Sequence, residues 1–109
     1  MAFRFREFKV YKDAKSFIND VYRTTKKFPK DEKYGLASQI RSAAVSIALN
    51  IAEGSDRGSD KEFNRFIQMS IGSTNEVVAA FDIAVDNKYI ENEEYRRLLI
   101  NAESIVKQL

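Results

Sequence analysis

The chain has 109 residues, 31% of them charged, with a net charge of +2; at this size folding buries roughly two-thirds of the open chain's surface, enough for one domain around one core. It contains no cysteine and no histidine, which excludes disulfide frameworks, Cys/His zinc sites, histidine-ligated di-iron centres and the Ser-His and Cys-His nucleophile pairs. No apolar run approaches the roughly 20 residues of a membrane span, and the opening MAFRFREFKVYK alternates arginine with phenylalanine where a signal peptide has a continuous apolar core, so a soluble cytoplasmic protein without membrane contact is expected.

Four glycines and one proline are too few for the turns of a β fold and suit long helices. In chain order, Val10, Ala14, Phe17, Ile18, Val21 and Thr25 recur at steps of three and four, predicting a first helix from Lys9 to Lys27. Pro29 disfavours the α region at Phe28 and ends it. Leu36, Ile40, Ala43, Ile47 and Ile51 predict a second helix, with Gly54 as its C-terminal cap. Ser59 followed by Glu62 has the form of a capping box. It opens a third helix whose apolar positions run unbroken from Phe63 through Phe66, Ser70, Thr74, Val77 and Phe81 to Val85. Gly72, inside that run, costs roughly 1 kcal/mol relative to alanine and predicts a close helix approach. Asn92 is the expected cap of a fourth helix, with Glu93 and Glu94 in its positive first turn and Tyr95, Leu98, Leu99, Ala102, Ile105, Val106 and Leu109 as its apolar stripe. Four amphipathic helices with short connections predict an all-α, antiparallel up-down-up-down four-helix bundle over residues 1–109.

Two features exceed what such a bundle needs. The second helix carries another apolar stripe, Val45, Leu49 and Ala52, with Val45 about 200° around the axis from Ile47 at 3.6 residues per turn. Together with Phe3, Phe5 and Phe8 it is a candidate subunit interface. Charge is also uneven: residues 1–30 carry nine Lys/Arg against Glu7, Asp13 and Asp20, and the remainder is net negative. Arg4, Arg6, Lys9, Lys12, Lys15, Arg23, Lys26 and Lys27 form a basic N-terminal face fit for a phosphate backbone or an acidic neighbour.

The stretch YGLASQIRSAAVSIALNIAEG, followed by SDKEFNRFI and GSTNEV, resembles the four-helix-bundle family named for the 23S rRNA intervening-sequence protein. It resembles more distantly the accessory variability determinant of diversity-generating retroelements. Phe8-Lys9-Val10-Tyr11-Lys12, Phe28-Pro29 and Lys88-Tyr89-Ile90 extend the resemblance over nearly the whole chain. It implies a bacterial four-helix bundle, a homopentameric ring and an RNA or DNA partner; from the residues themselves no cofactor and no small-molecule substrate are expected. Two positions depart from the family pattern: Ser42 stands where a second arginine is usual, and Ala48 where a proline is frequent, which implies a second helix without a kink.

Arg41, Asn50, Glu53, Arg57, Ser59 and Glu76 are the polar residues that motif and helical spacing single out together. Either they bind a ligand, or they latch the corner between the second and third helices, Asn50 and Glu53 meeting free amides of the third helix while Arg57 or Arg41 neutralises the acid. No nucleophile, base poised near neutrality or phosphate-cradling glycine loop accompanies them, which favours the latch. The function expected is a non-enzymatic oligomer that binds nucleic acid. Two alternatives are a protein scaffold, and a magnesium enzyme built on the acidic spacings Glu53-x-x-Asp56 and Glu91-x-x-Glu94.

Overall fold

The structure, a computed structural model, describes residues 2–109. A 3-10 turn at Arg4–Glu7 leads into α1 (Lys9–Thr25), and a second at Lys30–Glu32 precedes α2 (Leu36–Gly54); α3 (Asp60–Asp86) and α4 (Asn92–Gln108) complete the chain, with no strand among the described residues. Helix α1 stops two residues short of the predicted end. The Thr25 hydroxyl donates back to Val21 O at 2.8 Å, a bond that competes with helix propagation. Helix α2 starts on a cap that the sequence pattern did not disclose: Glu32 Oε1 accepts from Leu36 N at 3.1 Å, and Gly35 leaves room for it, since a Cβ there would lie 2.8 Å from that oxygen. At α3, Ser59 Oγ accepts from Glu62 N at 3.1 Å, but the return half of the box is absent because Glu62 bonds Arg65 instead. Glu91, not Asn92, occupies the cap position of α4.

Side-chain pairs between helices define the directions. Arg41 near the start of α2 meets Thr25 at the end of α1, Ile47 and Ser70 meet between α2 and α3, Asp82 meets Tyr95, and both Asp13–Gln108 and Lys27–Glu94 join α1 to α4. The α1/α2, α3/α4 and α1/α4 pairs match an early residue of one helix with a late one of its neighbour, and along the α2/α3 seam Gly54 lies by Phe63, Ile47 by Ser70 and Ser46 by Ser73, so sequential helices run antiparallel and α4 closes against α1. The diagonal pairs α1/α3 and α2/α4 make no approach. The 27 residues of α3 rise about 40 Å, which sets the 44 Å long axis.

Phe17, Val21, Ile40, Ile47, Ile51, Val77, Phe81, Leu98 and Ile105 fill one shared core. Helix α2 contributes the most, because Ala37, Ala44 and Ala48 bury a second strip beside the isoleucines, so α2 packs on α1 and α3 at once. The small alanines let α2 and α3 pair closely. The two conspicuous helical glycines exchange roles relative to expectation. Gly72 is exposed and a Cβ there would meet nothing within 4 Å, so it marks no close approach. Gly54 is buried, with a Cβ position only 2.6 Å from Phe66 Cβ and 3.0 Å from Phe63 Cδ1. It has no positive φ, so it is the contact point of α2 with α3 and not a left-handed cap.

Candidate functional site

The basic face is built on the start and outer side of α1, and its members differ in how freely they show their charge. Arg4 turns inward: its Nε and Nη2 donate to Ser55 O at 3.1 and 2.7 Å, and its guanidinium lies over the rings of Phe8 and Phe63. It thereby satisfies a carbonyl at the negative end of α2. Lys9 pairs with Asp13 at 2.7 Å, Arg23 with Asp20, and Lys27 with Glu94 at 3.1 Å, while Lys12 stands 3.8 Å from Glu7. Arg6 packs over Phe3 and Lys15 over Tyr11. Arg6, Lys15 and Lys26 are exposed and have no carboxylate partner among the described residues. Exposed ion pairs contribute at most about 1 kcal/mol each, but they cancel field locally, so the open positive charge is narrower than the sequence count suggests.

The six polar residues of the expected latch do not converge. Arg41 sits at the other end of α2, where Nε donates to Thr25 Oγ1 at 2.7 Å and the guanidinium covers Tyr22; it ties α2 to α1. Asn50 Nδ2 donates to Ser46 O and Ser46 Oγ, and Ser46 Oγ is 2.9 Å from Ser73 Oγ on α3. Glu53 pairs with Arg57 at 2.6 Å on the surface, Ser59 caps α3, and Glu76 is exposed without a hydrogen bond among the described residues. The α2/α3 seam relies on residues that periodicity concealed as small core positions. Ser70, fully buried, donates to Ile47 O at 2.9 Å, and Thr74 donates to Ser70 O. No buried side-chain nitrogen or oxygen among the described residues lacks a partner, as buried polar groups require.

The second apolar stripe of α2 meets the N-terminal arm. Leu49 is 61% exposed and Phe3 62%, and with Phe5, Ala52, Ser55 and Arg57 they line an open groove of ≈ 730 Å³. Phe5 packs edge-on against Tyr11, and Phe8 stacks on Phe63. These contacts hold the arm on its own chain, leaving Phe3 and Leu49 outward and Val45 half-buried.

Residues 6–109 match the family model described as 23S rRNA-intervening sequence protein. The chain belongs to that family. A crystal structure of a protein of unknown function from the S23 ribosomal protein family of Bacteroides thetaiotaomicron is similar in fold, with a TM-score of 0.84 and 21% identity over 91% of this chain and 93% of that one. Among curated proteins, none matches the chain.

In this member of the family, two of the four acids spaced as candidate metal motifs have other partners: Glu53 holds Arg57, and Glu94 holds Thr24 and Lys27. The described residues contain no group of three or more side chains arranged to hold a metal ion, and no helix is long and apolar enough to cross a membrane. Burial raises the Glu94 carboxyl, but the hydrogen bonds from Thr24 and Lys27 and the charges of Lys27 and Arg97 outweigh it and leave the group below the usual carboxylate range. Asp13 is lowered as well, by hydrogen bonds from Lys9 and Gln108. A carboxylate depressed in the folded state contributes stability above its unfolded pKa and loses it as pH falls through the folded value. Acidification below pH ~4.5 is therefore expected to loosen α4 from α1. Glu94→Gln will reduce that acid sensitivity in melts at pH ~3.5 and ~7; an unchanged pH profile would show that the clamp contributes nothing.

Proposed function

We propose that this protein is a non-enzymatic, cytoplasmic oligomer that binds nucleic acid through the open cationic positions of its N-terminal region. The observation that carries the reading is the set of exposed, unneutralised cations Arg6 in the turn before α1, Lys15 on the outer side of α1 and Lys26 at its C-terminal cap. Membership of a family named for the intervening sequence of 23S rRNA supports RNA as the partner. Self-association, in a ring of five by resemblance, is supported by the exposed Leu49 and Phe3 around one groove. Repetition around a symmetric ring multiplies a modest patch into a continuous one. Three phosphate contacts per subunit give a salt slope of about −2 on single strands, so raising salt from ~50 to ~200 mM will weaken RNA binding roughly twentyfold per engaged subunit. Fluorescence anisotropy with a labelled RNA checks this, and absence of binding at ~50 mM salt refutes the reading. The groove also favours a second reading, a scaffold for another protein, which co-purification of one defined protein without nucleic acid supports.

A further inference from the structure

Where α1 turns into α2, two aromatics take opposite fates. Phe28 is 7% exposed and packs on Tyr89; Tyr34 is 87% exposed, and its hydroxyl makes no hydrogen bond to the described residues. The fold makes no use of that ring. The corner between α1 and α2 carries a small net positive charge. Lys26, Lys30 and Lys33 have no carboxylate partner among the described residues, and Lys33 Nζ lies 5.4 Å from the Tyr34 ring centroid. The two acids in the turn, Asp31 and Glu32, both keep their charge, Glu32 accepting from Leu36 N and the Tyr89 hydroxyl, so three unpaired lysines stand against two carboxylates.

An accessible aromatic face beside unneutralised lysines is the chemistry that holds an unpaired base and its flanking phosphates. We propose that this corner is a contact site for single-stranded nucleic acid, with Tyr34 stacking on one base and Lys26, Lys30 and Lys33 holding the adjoining phosphodiesters. A duplex buries its base faces and cannot use the ring, so the site selects unpaired segments. The inference rests on the nucleic-acid reading above and narrows it, placing the selective contact in a connecting turn instead of along α1.

The test uses the full-length protein with two probes, a fluorescein-labelled oligouridine of about 12 nucleotides and an RNA duplex of equal phosphate number. Tyr34→Ala is expected to weaken oligouridine binding about tenfold, equivalent to ~1.4 kcal/mol of stacking, with duplex affinity and salt slope unchanged. Tyr34→Phe keeps the wild-type affinity, because the ring and not the hydroxyl does the binding. Lys30→Glu with Lys33→Glu weakens both probes. The site is refuted if Tyr34→Ala leaves oligouridine affinity intact, if it weakens both probes alike, or if it changes the particle mass, which would make Tyr34 a subunit contact. Wild-type protein that binds neither probe removes the nucleic-acid reading and this site together. Replacing a residue 87% exposed leaves the core untouched, so these outcomes are separable from unfolding.

Discussion

Gly54→Val will destabilise the protein by at least ~2 kcal/mol and lower its melting temperature by about 8–16 °C. The first atom added at Gly54 would lie 2.6 Å from Phe66 Cβ, and a Cβ is fixed to its backbone, so no rotation of Phe66 relieves the clash. The two helices would have to separate, and the buried Ser70–Ile47 bond and the packing of Ile51 lie in the same seam. A stability of roughly 0.05–0.15 kcal/mol per residue leaves little to absorb such a loss. Gly54→Ala separates two explanations. Alanine is the better helix former by about 1 kcal/mol, and the backbone here is not in the positive-φ region, so without the clash alanine would stabilise. We expect it to destabilise in urea and thermal melts. A Gly54→Ala protein melting at or above wild type would sink the close-contact explanation.

Leu49→Glu will break the proposed assembly, raising the dissociation constant at least about 100-fold and reducing the particle to its 12.5 kDa subunit. Burying a leucine contributes about 1.5–3 kcal/mol, and a carboxylate forced into the same apolar contact without a partner costs more than that gain. Leu49 lies outside the core of its own subunit, so the helical content of the variant should match wild type; loss of mass with loss of helix would instead point to misfolding. Light scattering on both proteins decides the matter. Wild-type protein of 12.5 kDa at high concentration would end the self-association proposal and the repeated basic patch that depends on it.

The helices were legible in the chain because each writes its buried face as a three-four repeat, and α3 shows this most plainly, from Phe66 through Ser70, Thr74 and Val77 to Ala84. Local chemistry was legible only in part. Ser59 caps α3 as its spacing predicts, whereas Glu32 caps α2 across a turn in which no pattern marks it. The charged and polar residues were the least legible. Arg4, read as a phosphate ligand, spends its guanidinium on Ser55, 51 residues away in sequence, and Arg41, read with Asn50 and Glu53, ties the opposite end of α2 to α1.

The sequence by itself determined the number of helices, their apolar faces, the excess of apolar surface on α2 and the families of chemistry that the absence of histidine and cysteine forbids. These follow from periodicity and composition, which depend on near neighbours along the chain. Tertiary structure alone decided which cations remain open, which glycine is squeezed and which aromatic faces solvent. Each of those depends on what another helix places within a few ångströms, and a long flexible arginine or lysine can reach several partners that no spacing rule distinguishes.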